Sequence, residues 1–529
     1  MSGFDGIVVG GGHNGLTTAA YLARAGLRIA VLERSPVIGG GTSTHEPMLP
    51  GYRCNLHANF FIGYATAPLA RDLDLHRFGF SWIEPPVQNG AVFRDGSAVT
   101  LHKDLAATHA SLARFSKRDA DTFVELTHLY GEKLRPLLVS LLYNAPLPRA
   151  ELADRLSGPE GKAFLAHSEH DLFSVVRQYF DDDRIRTLFT STMHVITTEN
   201  VPGAGMVFPG IFSSALRLAL PVGGANSLPL ALARVVEAGG GVVETNAEVA
   251  EIVTRNGRAT GVVLSDGRRL EADRFVASGI DTPGTMALTG REAFTDEQQA
   301  ALDSWHWGHH SLLTLHLALR NPPNYRARVF DPDIARAFNV FFGMDDIDQV
   351  AQCFADCKAG RFPSVLMGNG ACNSQFDPTY APEGAHTAFW WPFAPYAVEG
   401  DAANWDRNKA DYEQRVLNVW RDYADNLEGD NLKATFLSTP ADVSRHNVNM
   451  RNGAVRMGAY IPSQLGINRP HPSLSGTRTP VEGLYICGSG VGGGGGANGA
   501  PGYIAANAIA TDLGIDRPWT PVPLPEWKG

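Results

Sequence analysis

The chain opens with apolar segments whose period changes along the sequence. Residues 7–9 are an uninterrupted apolar run, residues 16–23 carry apolar side chains at helical spacing, and residues 29–32 form a second short apolar run within a strand predicted over 28–32. A short run bounded by glycine is typical of a buried strand, whereas the helical spacing indicates a helix with one apolar face. The order strand, helix, strand predicts a βαβ unit with a parallel sheet.

Three glycines occupy the predicted turn between the first strand and the helix. Gly10 allows a tight turn, Gly12 lets the backbone approach a pyrophosphate, and Gly15 lets the helix pack closely on the strand. The helix N-terminus adds free N–H groups and the positive end of its dipole. Glu33, at the end of the second strand, is expected to accept hydrogen bonds from the ribose hydroxyls of an adenosine. Together these positions predict a dinucleotide-binding unit.

A second glycine turn, residues 39–41, follows the acidic residue at the point where a nicotinamide dehydrogenase would enter its next helix. A second close approach of the backbone suits a long, bent cofactor, so this turn favours FAD over NAD, with a plain surface turn as the alternative. The cofactor-binding residues predicted in this first region are Gly10, Gly12, Asn14, Gly15, Glu33, Arg34, Gly40, Gly41 and Thr42.

Two later segments predict more of the same fold. Residues 228–236 show helical spacing, residues 242–244 indicate a strand, and turns at 256–257 and 266–267 indicate further strands. Near the end of the chain an apolar run and a glycine-rich loop precede a helix predicted over 503–513. The nucleotide-binding fold is therefore expected to be discontinuous in sequence.

Three stretches together resemble a known family. They are GGGHNGL at residues 10–16, the acid and glycine turn at 33–41, and TPVEGLYICGSG with GAPGYIAANAIA within residues 479–510. They resemble the phytoene desaturase-like FAD-dependent oxidoreductase superfamily, and within it the branch named pyridine nucleotide-disulfide oxidoreductase domain-containing protein 2. The resemblance implies non-covalently bound FAD, a two-domain fold and the oxidation of largely apolar substrates.

The resemblance also extends the predicted cofactor site. In related flavoproteins the residue that matches Val249 pairs with adenine through its backbone, and Asn498 and Tyr503 are candidates for lining the flavin. The cofactor-binding residues added in this way are Val249, Gly488, Ser489, Gly499, Gly502 and Tyr503.

The predicted fold class is α/β, with a discontinuous Rossmann-type FAD-binding domain and an inserted α+β substrate domain. The FAD-binding domain is expected at residues 1–75, 215–290 and 475–529, and the substrate domain at 76–214 and 291–474. The first part of the substrate domain is predicted to be helical, because its leucines and phenylalanines recur at helical spacing.

Two departures from the family limit what is carried over. Gly492 and Gly493 stand where the branch often has His-Pro, so no role of that histidine transfers. The branch name promises a redox disulfide, yet the close pair Cys353 and Cys357 lacks the C-x-x-C spacing. The pair also lies on a predicted helix, residues 347–358, far from both glycine regions. We therefore interpret these cysteines as structural.

Aromatic and histidine residues of the predicted substrate domain are candidate pocket residues. His306 and His310 are four residues apart, but Gly308 lies between them and no acidic residue is close. An aromatic pocket wall is therefore favoured over a metal site, and no metal is expected. Trp390 and Trp391 form a further aromatic pair.

The sequence identifies no catalytic residue. No Ser-His-Asp or Cys-His arrangement stands out, which fits a flavin enzyme because the cofactor carries the chemistry. His57 and Asn59 are candidates for the mouth of the pocket.

Charge and cysteine usage narrow the partners and the location. The 45 basic and 55 acidic residues give a net charge of −10 without any basic run, which argues against nucleic acid as a partner. Five cysteines without paired spacing and an N-terminus without a basic stretch predict a cytoplasmic protein with no signal peptide. An apolar substrate is compatible with peripheral membrane contact, although no basic amphipathic helix requires it. A homo-oligomer is also left open.

The main functional hypothesis is an FAD-dependent dehydrogenase or desaturase that removes a hydride and a proton from an apolar small molecule, such as a polyene or another conjugated compound. One alternative is a flavin amine oxidase that makes peroxide, for which an aromatic cage near Trp390 and Trp391 would suit a substrate nitrogen. A second alternative is an isomerase that uses reduced flavin.

Overall fold

The computed structural model describes residues 3–192 and 200–528. Residues 193–199, within the predicted first part of the substrate domain, lie outside the described residues. In chain order the strands are β1 Phe4–Val9, β2 Ile29–Leu32, β3 Thr44–His45, β4 Cys54–Asn55, β5 Phe61–Ile62, β6 Trp82–Ile83, β7 Val87–Val92, β8 Ala98–His102, β9 Leu218–Pro221, β10 Val242–Glu244, β11 Val249–Arg255, β12 Arg258–Leu264, β13 Arg269–Ser278, β14 Ser311–Leu312, β15 Thr314–Leu319, β16 Asn339–Phe342, β17 Gly368–Ala371, β18 His386–Ala394, β19 Leu432–Ser438 and β20 Leu484–Ile486.

The α-helices are distributed along the whole described chain. In chain order they are α1 His13–Arg24, α2 Pro68–Asp72, α3 Leu105–Leu112, α4 Lys117–Leu126, α5 Arg135–Tyr143, α6 Arg149–Arg155, α7 Pro159–Ala166, α8 Leu172–Tyr179, α9 Asp183–Thr192, α10 Phe208–Ser214, α11 Ser227–Ala238, α12 Thr282–Thr289, α13 Asp296–Asp303, α14 Ile347–Lys358, α15 Asn404–Tyr423, α16 Pro440–His446 and α17 Ala500–Asp512. A π-helical segment, Thr127–Lys133, continues α4. None of the helices in the described ranges is long and apolar enough to cross a membrane.

The first sheet gathers strands from three distant parts of the chain. Its order is β10-β2-β1-β13-β12-β11, and β20 also pairs with β13. Strands β10, β2, β1 and β20 run parallel to the end of β13, whereas β11, β12 and β13 are antiparallel neighbours. The predicted βαβ unit is thus present, and the later segments complete the same sheet.

Both faces of the first sheet are covered, so its central strand is apolar along its length. Val8 on β1 packs in the core formed with α1, α11 and α17. Ile7 and Val9 point to the opposite face and join the core with Val249 and Ile252 of β11. Because successive side chains of a strand point to opposite faces, a continuous apolar run is what a doubly covered strand requires.

The second sheet has the order β19-β15-β18-β17-β16-β7-β8, and β14 also pairs with β18. Its strands are antiparallel except for the parallel pair β16 and β7. One face, with Trp391, packs against helices α4 to α10 and α14. The other face, with Trp390, packs against α15.

The predicted mixed α/β architecture is confirmed, with one correction. Residues 76–214 are not helical throughout, because they begin with β6, β7 and β8, and the last two join the second sheet. The apolar residues of these short strands do not recur at helical spacing, and the longer helices that follow them dominate the sequence pattern of this region. The domain boundaries at 75, 214, 290 and 474 stay predictions.

Candidate functional site

The first glycine loop leaves β1 and enters α1 at the carboxyl edge of the first sheet. Gly10 has a φ of 94°, a backbone conformation that favours glycine, and its N–H donates to the carbonyl of Leu32. Gly12 caps α1, and a Cβ atom at this position would meet no atom within 4 Å. The backbone at Gly12 is therefore open to a ligand, and the free N–H groups of α1 point into that space.

Gly15 serves close packing, as the sequence predicts for the third glycine of the motif. A Cβ atom there would lie 2.4 Å from the carbonyl oxygen of Gly10. The neighbouring helix approaches as closely, because a Cβ on Gly502 of α17 would lie 2.1 Å from the carbonyl oxygen of Asn14. Both glycines let backbones meet where a side chain would separate them.

Glu33 is buried beside the first glycine loop and is held by backbone groups. Its Oε2 accepts a hydrogen bond from the Gly11 N–H at 2.8 Å, and its Oε1 accepts one from the Ser35 N–H at 2.8 Å. Each carboxylate oxygen keeps a further lone pair. Arg34 next to it pairs with Glu248 at 3.3 Å.

The second glycine turn packs directly on the first. The Gly39 N–H donates to the carbonyl of Gly11 at 2.8 Å, and the short 3-10 helix Gly40–Thr42 begins there. Val249, the first residue of β11, faces the same space from across the sheet. These contacts bring the predicted turn, acid and strand together around one cavity.

The far end of the chain returns to the first glycine loop through side-chain hydrogen bonds. Asn14 Nδ2 donates to Ser489 Oγ at 3.0 Å, and His13 Nε2 donates to the carbonyl of Gly496 at 2.9 Å. Burial lowers the pKa of His13 to about 4. The Asn14 Oδ1 is buried and has no hydrogen-bond partner among the described residues.

One large cavity, with a volume of about 1020 Å³, lies against these loops. This volume lies at the upper end of the roughly 300–1,000 Å³ that is usual for small-molecule and cofactor sites. All nine positions predicted in the first region line it, together with Val249, Ser489 and Asn498. Its remaining wall includes residues within 57–62, 279–288, 307–312 and 445–460.

Four predicted cofactor residues stand behind the cavity wall. Tyr503 does not line the cavity, because its ring packs on Tyr21 and Tyr143 and its hydroxyl accepts a hydrogen bond from the Val522 N–H, and its role at the cofactor stays a prediction. Its position on the first turn of α17 turns the side chain toward α1 rather than toward the loop. The other positions that do not line the cavity are Gly488, Gly499 and Gly502.

Of the two residues predicted at the mouth of the pocket, only one lines the cavity. His57 lines the cavity, whereas Asn59 does not, because its Nδ2 donates to the carbonyl of Asn55 and holds the local turn. Gly492 and Gly493 lie against Pro146 and Ala500 and are not in the cavity wall.

The residues present fit FAD. Gly12 leaves a cradle that a Cβ atom would occupy, the N-terminus of α1 faces it, and Asn14 offers an unpartnered buried oxygen. Besides these loops, the cavity is lined by apolar side chains, so it holds more than a mononucleotide site requires. When bound, FAD supplies a two-electron acceptor.

The apolar wall belongs to the largest core of the protein. Phe60, Leu312, Trp391 and Val455 line the cavity and pack in the core of the helical region. Phe60 and Trp391 have ring centroids 5.8 Å apart. The expected pair is corrected here, because Trp390 points to the opposite sheet face and stacks on Phe342 at 4.4 Å.

The aromatic segment before β14 contributes in part. Trp307 and His310 line the cavity, whereas Trp305 lies under the buried guanidinium of Arg469, 5.3 Å from its ring. The rings of His306 and His309 lie 4.6 Å apart. No cluster of three metal-ligating side chains occurs within residues 3–192 and 200–528.

Sequence reasoning missed a buried ion pair at the cavity wall. Asp281 caps α12 through the Gly284 N–H, and its Oδ2 accepts a hydrogen bond from Arg451 Nε at 3.1 Å. Burial raises the pKa of Asp281, and the nearby Arg451 opposes that effect. The sequence Asp-Thr-Pro directly after an apolar strand was a usable signal for Asp281. Arg451 is not part of a short sequence motif that would predict its position.

A histidine cluster at the cavity was also missed from the sequence, except for His57. The His45 and His446 rings have centroids 4.6 Å apart, and those of His57 and His446 are 5.5 Å apart. Burial, reinforced by the neighbouring histidines, lowers the pKa of His57 to about 3 and that of His45 to about 4. Burial also lowers the pKa of His446.

The cysteines occupy buried positions away from the cavity. Cys353 and Cys357 lie on α14, whose bounds agree with the predicted helix, and both thiols are free. The hydrogen bond with Cys353, together with burial, raises the pKa of Cys357 well above its ordinary value. Neither residue lines the cavity. A redox role of this pair beside the cofactor has no support in this arrangement.

Comparisons with known proteins identify similar oxidoreductases. The chain is 31% identical to a limonene dehydrogenase subunit of Castellaniella defragrans over 98% of this chain and 96% of that protein. It is 28% identical to pyridine nucleotide-disulfide oxidoreductase domain-containing protein 2 of Mus musculus, over 96% and 94% of the two chains. The solved structure of putrescine oxidase bound to putrescine aligns with a TM-score of 0.62 at 15% identity, over 97% and 99%.

The family assignment rests on most of the chain. Residues 15–510 match the family model described as flavin containing amine oxidoreductase. The predicted resemblance, the FAD cofactor and the oxidoreductase class are thereby confirmed. The chain is an FAD-dependent oxidoreductase that belongs to the flavin containing amine oxidoreductase family.

Proposed function

We propose that this oxidoreductase dehydrogenates an apolar small molecule, removing a hydride and a proton from neighbouring carbon atoms. The observation that carries the proposal is the composition of the cavity, which extends from the glycine loops to a wall of apolar and aromatic side chains. An apolar substrate gains free energy by burying its surface against such a wall. The limonene dehydrogenase subunit, which is similar over nearly the whole chain, supports an apolar substrate of this kind.

Charge at the cavity argues against a protonated amine as the substrate. The carboxylates in the wall are those of Glu33, Glu248 and Asp281, and each already accepts hydrogen bonds or pairs with an arginine. The wall also carries four arginines, at positions 34, 445, 451 and 456. An ammonium group would therefore lose its hydration without gaining a free carboxylate, which is costly. This favours the dehydrogenase over the amine oxidase.

The proposed cofactor contacts follow from the geometry of the loops. The N-terminus of α1, with Gly10 and Gly12, is placed to receive the pyrophosphate. Glu33 keeps lone pairs for the ribose hydroxyls, and Val249 offers its backbone to the adenine. The predicted domain division, with the first sheet as the FAD-binding unit and the second sheet as the substrate unit, is part of the same proposal.

The proposal places the enzyme in the cytoplasm, with transient contact to a membrane surface when it collects its substrate. The basis is chemical, because an apolar molecule partitions into bilayers. Co-flotation of the purified protein with liposomes of neutral lipid tests this contact, and full recovery of the protein in the lipid-free fraction contradicts it.

The experiment is an anaerobic reduction assay on the purified holoenzyme. We expect a yellow protein that releases FAD on denaturation and whose absorbance bleaches with a cyclic terpene such as limonene or with an acyclic polyene. Putrescine and cyclohexylamine serve as amine probes in parallel reactions. Product mass is measured in each reaction.

The outcomes separate the three hypotheses. Bleaching by a terpene or polyene, with a product two mass units lighter, supports dehydrogenation. Bleaching by amines alone, with peroxide formed in air, contradicts the proposal and favours the amine oxidase. A product of unchanged mass that forms only with reduced flavin favours the isomerase.

A further inference from the structure

One arginine is buried beside the cavity without an acidic partner. Arg469 is 1% exposed, and within residues 3–192 and 200–528 none of its hydrogen bonds goes to a carboxylate. Three arginines of the cavity wall, by contrast, pair with carboxylates, namely those at positions 34, 445 and 451. A buried charge without an opposite charge is costly, so its retention calls for an explanation.

Neutral groups surround the guanidinium of Arg469. Its Nε donates to the carbonyl of Ser489 at 3.0 Å, and one Nη donates to the carbonyl of Arg456 at 2.7 Å. The rings of Trp305 and Tyr460 flank the charge, with centroids 5.3 and 4.9 Å from it. These contacts satisfy the donors and stabilise the cation in part, but they supply no negative charge.

The two wall segments that the guanidinium joins both reach the N-terminus of α1. Ser489 lines the cavity, and its Oγ accepts a hydrogen bond from Asn14 Nδ2. Arg456 also lines the cavity and donates to the loop 495–496, which in turn accepts a hydrogen bond from His13. The buried charge therefore lies directly behind the wall at the end of the cavity where the pyrophosphate is proposed to bind.

The pyrophosphate is the part of FAD that brings negative charge to this end of the cavity. Each of its two phosphate groups carries one negative charge, whereas the N-terminus of α1 offers only about half a unit of positive charge. Charges separated by protein rather than by water attract each other with little screening. An arginine behind the wall therefore adds a full opposite charge without taking space from the cofactor.

We propose that Arg469 is a positioning residue whose buried positive charge balances the pyrophosphate of FAD, an inference that rests on the proposed placement of the pyrophosphate. Its hydrogen bonds hold together the two wall segments that meet at the N-terminus of α1. The proposal accounts for the missing carboxylate, because an acidic partner would cancel the charge that the cofactor needs.

The guanidinium keeps its charge in spite of its burial. Burial lowers the pKa of Arg469, but arginine starts far above neutral pH. The ionisable groups that act on it are Tyr460, which opposes this effect, and Arg456, which adds to it. A lysine at the same position can lose its proton at high pH, because burial readily lowers the pKa of an ammonium group. Lysine therefore provides a charge that can be removed by titration.

The experiment measures how fast FAD leaves the holoenzyme in the wild type, Arg469→Gln and Arg469→Lys. Release after dilution is followed by the fluorescence of free FAD, and the melting temperature of every variant is recorded.

Two control variants keep the charge behind the wall. Trp305→Phe removes the hydrogen bond from the indole N–H to the Met457 carbonyl, 3.2 Å long, and so loosens the same wall segment. Arg135→Gln removes another partly buried arginine, which donates to the Ser213 carbonyl at 2.8 Å and does not line the cavity.

We expect Arg469→Gln to release FAD about 10- to 100-fold faster than the wild type, because the pyrophosphate loses a weakly screened opposite charge. Arg469→Lys at about pH 6 and both controls should stay within about 3-fold of the wild type. The release rate of Arg469→Lys should then rise between about pH 6 and 10 as the ammonium group loses its proton, whereas that of the wild type stays constant.

The lysine variant also separates charge from a purely structural role. If Arg469→Gln and Arg469→Lys release FAD equally fast at every pH, the guanidinium acts through its hydrogen bonds alone and the inference is wrong. The same conclusion follows if Trp305→Phe releases FAD as fast as Arg469→Gln. Should Arg469→Gln fail to fold, the pH series of Arg469→Lys decides alone, and a release rate that does not change with pH contradicts the inference.

The reduction potential of bound FAD shows which part of the cofactor the charge serves. It should be nearly the same in Arg469→Gln and in the wild type. A large fall in the potential with an unchanged release rate would assign the charge to the flavin and overturn the inference. No substrate enters these measurements, so their outcome is independent of whether the enzyme oxidises an apolar compound or an amine.

Discussion

The two ends of the cavity are built in different ways. At the cofactor end, backbone atoms of short contiguous segments form the wall, chiefly Gly10–Gly15 and the 3-10 helix Gly40–Thr42. At the other end, side chains from distant segments meet, among them Phe60, Trp391 and His446. The first end depends on the absence of a side chain on glycine, whereas the second end depends on the shape and chemistry of particular side chains. Mutations at the two ends should therefore have different effects on stability, FAD binding and substrate binding.

The largest effect is expected at the backbone end, for Gly15→Val. The new Cβ atom would stand 2.4 Å from the Gly10 carbonyl oxygen, and neither backbone can move without separating α1 from β1. We expect loss of bound FAD and a large drop in folded protein, measured by the ratio of flavin to protein absorbance and by the melting temperature.

Gly12→Ala is the matched control for that variant. Its Cβ meets nothing within 4 Å and its φ of −70° suits alanine, so the fold should keep its melting temperature without FAD. FAD should nevertheless bind more weakly, because the methyl group occupies the space above the helix N-terminus. Equal loss of stability in both variants would contradict the distinction between packing and cofactor approach.

The second effect lies at the side-chain end, in the pair of adjacent tryptophans. Trp390 is fully buried on Phe342, so Trp390→Ala should lower the free energy of unfolding by about 3–5 kcal/mol. Trp391→Ala should cost less stability, because its ring borders the cavity. The concentration of apolar substrate needed for half-maximal bleaching should rise only for Trp391→Ala. A similar rise in both variants would show that the two sheet faces are not independent.

The sequence predicts the cofactor end well, because short runs of contiguous residues form it. All nine positions predicted between Gly10 and Thr42 line the cavity, and so does Val249. Glycine spacing reports a local requirement of the backbone, so it survives without knowledge of tertiary structure. The bounds of α1 and of the strands β1 and β2 were also close to the predicted ones.

The side-chain end was harder to predict, because proximity there arises only from the fold. His446 and Arg451 follow no motif, and they reach the cavity because α16 ends there and the loop after it bonds to Asp281, which follows β13. Trp390 and Trp391 are neighbours in sequence but alternate across β18, so only Trp391 lines the cavity. Tyr503 lies outside the cavity wall for a related reason, since the rotation of α17 decides which side chains face the cavity.

A third effect is acid sensitivity that originates in two buried histidines, His57 in the cavity wall and His316 outside it. Burial lowers the folded pKa of His57 and of His316 to about 3, below the ordinary 6.5. Above pH 6.5 the rings are neutral in both the folded and the unfolded protein, so these histidines do not lower the free energy of unfolding. As the pH falls, only the unfolded ring binds a proton, so stability declines by about 2 kcal/mol per histidine at pH 5.

His316→Gln should remove one of these contributions. The urea concentration at the midpoint of unfolding should then decrease less between pH 6.5 and 5 than it does in the wild type. His128 provides the control, because its side chain is exposed beside Glu132. His128→Gln should leave the slope unchanged. An unchanged slope in His316→Gln would contradict the burial of a neutral ring at that position.

The smallest effect is expected at the cofactor end, for the ion pair of Arg34 and Glu248. The two groups are 3.3 Å apart, but about half of each side chain is exposed, so solvent screens their attraction. Arg34→Ala should change the free energy of unfolding by less than about 1 kcal/mol, and the small change should vanish in high salt. Glu33→Gln is the informative contrast, because Glu33 is buried and accepts two backbone hydrogen bonds. If Arg34→Ala proved as damaging as Glu33→Gln, side-chain charge rather than backbone geometry would organise this end of the cavity.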